Sequence, residues 1–62
     1  MSSEIFEKFV EEEIRKMENT VQGLEKMIDN CKKSGKKETA EVLESMKQTT
    51  KNEIKNKKEQ FC

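Results

Sequence analysis

The chain has 62 residues, of which 42% are charged and 31% hydrophobic, and it contains no proline, histidine, tryptophan or tyrosine. A chain this short has room for a single domain with a small core. Basic and acidic residues are equal in number, so the whole chain has no electrostatic attraction to nucleic acids or membranes. Charges interrupt every apolar run, which excludes a signal peptide or a membrane-spanning helix and predicts a cytoplasmic protein.

The first predicted element is a helix over about residues 3–33. Apolar side chains recur along it at alternating intervals of four and three, which is the heptad pattern of helices packed at a shallow angle. This row, called the seam below, consists of Val10, Ile14, Met17, Val21, Leu24, Ile28 and Cys31. Lys32 and Lys33 suit the negative C-terminal end of the helix, and Gly35 suits the left-handed position just beyond it.

A turn at residues 34–36 is predicted to separate this helix from a second one over about residues 37–60. A single uninterrupted helix would bring Gly35 and Ser45 onto the seam, whereas a new register beyond the turn gives an apolar row. In that register the seam continues through Leu43, Met46, Thr50, Ile54 and Phe61. The seam of the second helix is less apolar than that of the first, because its positions include Ala40, Thr50 and Lys57. We expect residues beyond about Asn56 to fray unless Phe61 docks onto Phe6.

The apolar residues of the two predicted helices are arranged as mirror images about the turn. Facing residues have numbers that add to 67 or 68: Phe6 with Phe61, Ile14 with Ile54, Met17 with Thr50, Val21 with Met46, Leu24 with Leu43 and Ile28 with Ala40. Two antiparallel helices joined by a tight turn require this pairing. The sequence therefore predicts an all-α, coiled-coil-like antiparallel hairpin that forms one domain over residues 1–62.

Apolar residues beside the seam predict a further contact surface. Phe9, Met27 and Cys31 turn to one flank of the first helix, and Val42 extends that flank from the second. A lone hairpin with so few apolar side chains hardly offsets the entropy of ordering its chain. We therefore expect two hairpins to pack as a homodimeric four-helix bundle. The same four residues would also suit a partner helix from another protein, and the sequence does not separate these two uses.

The sequence offers little for catalysis, metals or cofactors, and we expect none of them. Histidine is absent, no glycine-rich nucleotide loop follows a strand, and the acidic run at residues 11–13 suits a solvated helix face. Cys31 and Cys62 supply only two soft ligands, too few for a zinc site.

The two cysteines lie at opposite ends of the predicted hairpin. At 1.5 Å per residue the hairpin is about 40 Å long, which excludes an intramolecular disulfide between Cys31 and Cys62. If two hairpins pack with their turns at opposite ends, Cys31 of one chain comes near Cys62 of the other and offers a redox cross-link. The simpler interpretation is that Cys31 is a small core residue and Cys62 a frayed terminus.

Lysines form a stripe on the second helix and suggest an alternative function. They are Lys47, Lys51, Lys55 and Lys58, at spacings of four and three. Such a stripe is suited to tracking phosphates, although no aromatic residue lies among them for base stacking. Pairing with acids is the competing use, because residues 1–31 hold eight acidic and four basic side chains and residues 32–62 hold five acidic and nine basic ones.

The sequence thus predicts a small non-catalytic protein–protein interaction or regulatory module that acts as a homodimer of hairpins. The alternative is an RNA-binding regulator that uses the lysine stripe. The expected layout resembles that of Rop, a small plasmid-encoded RNA-modulator protein whose hairpin dimerises into a four-helix bundle. The resemblance covers size and helical layout alone, and no motif carries a functional residue over to this chain.

Overall fold

A computed structural model describes residues 2–61, which form two α-helices. Helix α1 spans Ser2–Lys33 and helix α2 spans Lys37–Phe61. The helices run antiparallel and pack against each other, so the predicted all-α hairpin is confirmed. The hairpin measures 52 × 15 × 10 Å. Neither helix is long and apolar enough to cross a membrane over the residues that the structure describes.

The turn between the helices is closed by backbone hydrogen bonds around Gly35. The amide of Lys36 donates to the carbonyl of Cys31 at 2.8 Å, and the amide of Gly35 donates to the carbonyl of Lys32 at 3.2 Å. This pair of bonds is the Schellman motif, in which the residue after the helix adopts a left-handed conformation. Gly35 has a φ of 75°, which confirms the position that the sequence predicted for it.

Replacing this glycine is expected to destabilise the hairpin through the backbone alone. A Cβ on Gly35 would meet nothing within 4 Å, so the penalty of Gly35→Ala is the strain of an L-residue at positive φ, about 1–2 kcal/mol. Urea unfolding followed by circular dichroism measures the loss. Ser34→Ala is the matched control, because no non-glycine residue of the described chain has a positive φ. Equal stability of the two variants would contradict the assignment of the turn.

The core is a single line of apolar side chains along the contact between the helices. Seven of them are buried: Val10, Ile14, Val21, Leu24, Ile28, Ala40 and Ile54. Five come from α1 and two from α2, which confirms that the second helix has the weaker seam. The radius of gyration is 14.8 Å, against about 11 Å for a compact domain of this length. The hairpin is therefore thin and has no interior away from its seam.

The sequence placed one residue on the seam of α2 that does not lie there. Met46 was expected to face Val21, but it is 50% exposed. Lys47 occupies the inner position instead, with only 22% of its side chain exposed and its ammonium group 3.9 Å from the carboxylate of Glu25. A lysine can bury its aliphatic stem along an apolar seam while its charge reaches a partner at the edge.

The open end of the hairpin is held by two phenylalanines. The rings of Phe6 and Phe61 pack edge to face, with centroids 5.2 Å apart and planes at 68°. This geometry suits the opposite charges at the edge and face of aromatic rings. The docking of Phe61 onto Phe6 is therefore confirmed, and α2 continues past Asn56 to Phe61 without fraying.

Candidate functional site

One side of the seam, called the charged flank below, carries the ion pairs between the helices. They are Glu18 with Lys58 at 3.5 Å, Glu25 with Lys47 at 3.9 Å and Lys32 with Glu44 at 3.7 Å. The three α1 members are seven residues apart and each directly follows a seam residue, so they share one side of α1. Two of the three pairs, those of Glu18 and Glu25, join an acid of α1 to a lysine of α2 as the charge balance predicted, whereas the pair of Lys32 and Glu44 has the opposite sense.

These ion pairs guide the alignment of the helices more than they stabilise them. The side chains of Glu18 and Lys58 are 49% and 53% exposed, and those of Lys32 and Glu44 are 65% and 46% exposed. Water and salt screen charges at such sites, so each pair contributes only about 0–1 kcal/mol. The charged flank therefore favours one register over others but adds little to the stability of the fold.

The opposite side of the seam, called the apolar flank below, exposes large apolar side chains. Its members are Phe9, Met27, Val42 and Met46, which are 62%, 50%, 61% and 50% exposed. Each directly precedes a seam position, so all four lie on the side away from the ion pairs. Scattered exposed apolar residues are normal, but four of them on one side of a thin hairpin form a surface that favours contact with another molecule.

The apolar flank divides into two regions along the hairpin. Met27, Val42 and Met46 lie toward the turn, where Cys31 is half-buried at the edge of the seam. Phe9 lies about five helical turns from Met27, roughly 27 Å along α1. Three of the four predicted contact residues, Met27, Cys31 and Val42, thus lie toward the turn, whereas Phe9 lies near the open end. Met46 was missed because it was assigned to the seam.

Of the four lysines in the predicted stripe, two form ion pairs with α1 and two face solvent. Lys47 and Lys58 are held by carboxylates of α1. Lys51 and Lys55 are exposed and make no ion pair within residues 2–61. An open groove beside Lys51 is lined by Glu18 and by further residues of both helices, including Glu25. A phosphate group in this groove would meet carboxylates as well as ammonium groups, which weakens the case for phosphate binding.

No group of three or more histidine, cysteine or acidic side chains among residues 2–61 is placed to hold a metal ion. No polar or charged side chain of the described chain is buried. Cys31 carries a free thiol, whereas Cys62 lies outside the described residues. Comparison with protein-family models, curated proteins and solved structures found no match, so no residue of the apolar flank takes a role from a relative.

Proposed function

We propose that this chain is a small, non-catalytic interaction or regulatory module that acts in the cytoplasm as a homodimer of hairpins. The observation that carries this proposal is the apolar flank, on which Phe9 and Val42 are more than 60% exposed and Met27 and Met46 are half exposed. Pairing two such flanks would bury these side chains and form a four-helix bundle. The charged flanks would remain outside, in contact with water.

The surface area of the hairpin supports the same proposal. The chain exposes 5164 Å², whereas a compact monomer of 7.3 kDa exposes about 4200 Å². The excess of roughly 1000 Å² is similar to the area of about 800 Å² that each partner buries in a standard protein–protein interface. A second molecule on the apolar flank would therefore remove about the area by which the hairpin exceeds a compact fold.

A charge placed on the apolar flank is expected to abolish the dimer. Val42→Asp would bury a carboxylate in the interface, and we expect a dimeric mass for the natural chain and a single-chain mass for the variant. Sedimentation equilibrium over a range of concentrations measures both, with circular dichroism recorded on the same samples. Ser45→Asp is the matched control, because it adds the same charge to an exposed position three residues along α2. A fully helical natural chain with a single-chain mass would contradict the homodimer.

The apolar flank would also accept an amphipathic helix from another protein, in the manner of a helix bound in a groove. Val42→Asp tests whether such a partner binds through the apolar flank. A partner captured from the native host by the natural chain, and lost by Val42→Asp but not by Ser45→Asp, would identify the flank as its binding site. Capture that Val42→Asp leaves unchanged would place the partner elsewhere on the hairpin.

RNA binding is the second candidate function, and the exposure of Lys51 and Lys55 is the observation that favours it. Their replacement by glutamate should abolish a gel shift of structured RNA while leaving the mass of the protein unchanged. Replacement of both Lys8 and Lys26 on α1 by glutamate is the control for the same change of net charge. Binding through phosphates weakens steeply with rising salt, so a gel shift that salt leaves unchanged would contradict this candidate.

A further inference from the structure

Each helix carries a second heptad row, which directly precedes its seam along the chain. On α1 this row comprises Phe9, Glu13, Lys16, Thr20, Gly23, Met27 and Asn30, and on α2 it comprises Thr39, Val42, Met46, Thr49, Glu53, Asn56 and Gln60. All of these residues are exposed except the half-buried Glu13. One residue of an α-helix turns by about 100°, close to the angle of about 90° between the two neighbours of each helix in a square four-helix bundle. The second rows therefore face where neighbouring helices of a bundle would lie.

The two second rows complement each other in sequence. Residues whose numbers add to 69 form the pairs Asn30 with Thr39, Met27 with Val42, Gly23 with Met46, Thr20 with Thr49, Lys16 with Glu53, Glu13 with Asn56 and Phe9 with Gln60. Within one hairpin both rows lie on the same side of the seam and point outward, side by side. No ion pair or hydrogen bond joins the two rows within the described hairpin, so the α1 row of one chain is available to face the α2 row of another.

We propose that two copies of the chain pack with both turns at the same end of the bundle, with α1 of each copy against α2 of the other. A twofold axis along the hairpin produces this arrangement. Because this axis keeps the register of the hairpin, in which facing residues have numbers that add to 67 or 68, the paired residues of the second rows lie within two residues of the same height. The inference rests on the homodimer proposed above and specifies its geometry.

Next to the polar pair of Asn30 and Thr39 at the turn, two pairs fit by size and by apolar character. Met27 of one copy meets Val42 of the other, and both side chains are at least half exposed in the single hairpin. Gly23 meets Met46, which is also half exposed. Glycine is a poor helix former, and a Cβ on Gly23 would touch nothing within 4 Å in the hairpin. The hairpin alone therefore does not require a glycine at residue 23. In the bundle the absence of a side chain on Gly23 leaves room for Met46 of the other copy.

The middle pairs fit by charge and hydrogen bonding. Lys16 of one copy meets Glu53 of the other, which is a pair of opposite charges. The ammonium group of Lys16 is 3.8 Å from the carboxylate of Glu13 on its own helix, so the second copy would extend this pair into a small network. Thr20 meets Thr49, and two threonine hydroxyl groups can hydrogen-bond to each other. Twofold symmetry forms every one of these contacts twice.

The arrangement with turns at opposite ends fits less well. It places α1 on α1 and α2 on α2, which would bring Phe9 onto Met27 but set Val42 and Met46 against the polar far half of α2. The same-end arrangement instead gathers the exposed lysines at residues 32–37 of both copies at one end. Those lysines repel each other, but water and salt screen exposed charges.

Disulfide trapping tests the proposed geometry. In a background with Cys31→Ser and Cys62→Ser, chains with Met27→Cys are mixed with tagged chains carrying Val42→Cys, first under reducing conditions and then with oxidised glutathione. The same-end bundle predicts at least ten times more mixed disulfide dimer on a non-reducing gel than either variant forms alone. Lys16→Cys mixed with Glu53→Cys samples the same register at a second height. The rival mixture, Met27→Cys with Phe9→Cys, should link only if the turns lie at opposite ends.

The outcomes separate this inference from the proposed homodimer. Efficient linkage in the first two mixtures and little in the rival mixture supports the same-end bundle. Dominant linkage in the rival mixture, or equal linkage in all mixtures, overturns the geometry and leaves the dimer in place. A single-chain mass for the reduced natural protein overturns both. Circular dichroism of the reduced variants checks that each one is as helical as the natural chain.

Discussion

Ile54→Ala is expected to cause a large loss of stability, about 2–5 kcal/mol in the free energy of unfolding. Ile54 is 8% exposed and packs in one cluster with Val10, Ile14 and Val21 of α1. Apart from the small Ala40, it is the only buried residue of α2. Its truncation would leave the second half of α2 without a buried anchor. Urea unfolding followed by circular dichroism measures the loss.

Ile5→Ala is the matched control for this experiment, because it removes the same atoms from a side chain that is 74% exposed. We expect the control to change stability by less than about 0.5 kcal/mol. If both variants lose the same stability, the seam described here does not hold the helices together.

Gly23→Leu is expected to act in opposite directions on the single hairpin and on the dimer. Leucine favours a helix over glycine by somewhat less than about 1 kcal/mol, so the hairpin should become more helical at low concentration. In the proposed bundle the new side chain would collide with Met46 of the second copy. We expect the dimer dissociation constant to rise at least about tenfold, equivalent to about 1.4 kcal/mol. Sedimentation equilibrium and circular dichroism across concentrations measure the two effects separately.

Asn19→Leu is the control for the change in hydrophobicity, because residue 19 is exposed on the outer face of α1. It should leave the dissociation constant within about twofold of its natural value, a difference of less than about 0.5 kcal/mol. Unchanged or tighter association of Gly23→Leu would show that no helix approaches α1 at this glycine.

Much of the fold was predictable because its determinants are local or repeat regularly. Val10, Ile28 and Ala40 are buried where the heptad spacing and the mirror about the turn placed them. Gly35 has the positive φ that its position after two lysines indicated. Phe6 and Phe61 meet because the same register, extended to the ends of the helices, leaves no other facing pair.

Hydrophobicity could not predict that Lys47, and not Met46, occupies the inner position on α2. Either residue continues the spacing from Leu43, by a step of three or of four, and the more apolar one was the natural choice. The outcome depends on Glu25, whose carboxylate on the facing helix accepts the lysine charge while the lysine stem lies along the seam. A pattern within one helix contains no information about a partner on the other. The same holds between two molecules, because the residues of the apolar flank do not by themselves specify which molecule covers them.

The two ends of the hairpin are closed in different ways, and this difference has a kinetic consequence. At the turn, Ile28 and Ala40 are close in sequence, so their contact closes a short loop with little loss of chain entropy. At the open end, Phe6 and Phe61 are joined by almost the whole chain and remain partly exposed. Folding should therefore start at Gly35 and proceed like a zipper, with the phenylalanine contact forming last. Weakening that contact should accelerate unfolding and leave the folding rate almost unchanged.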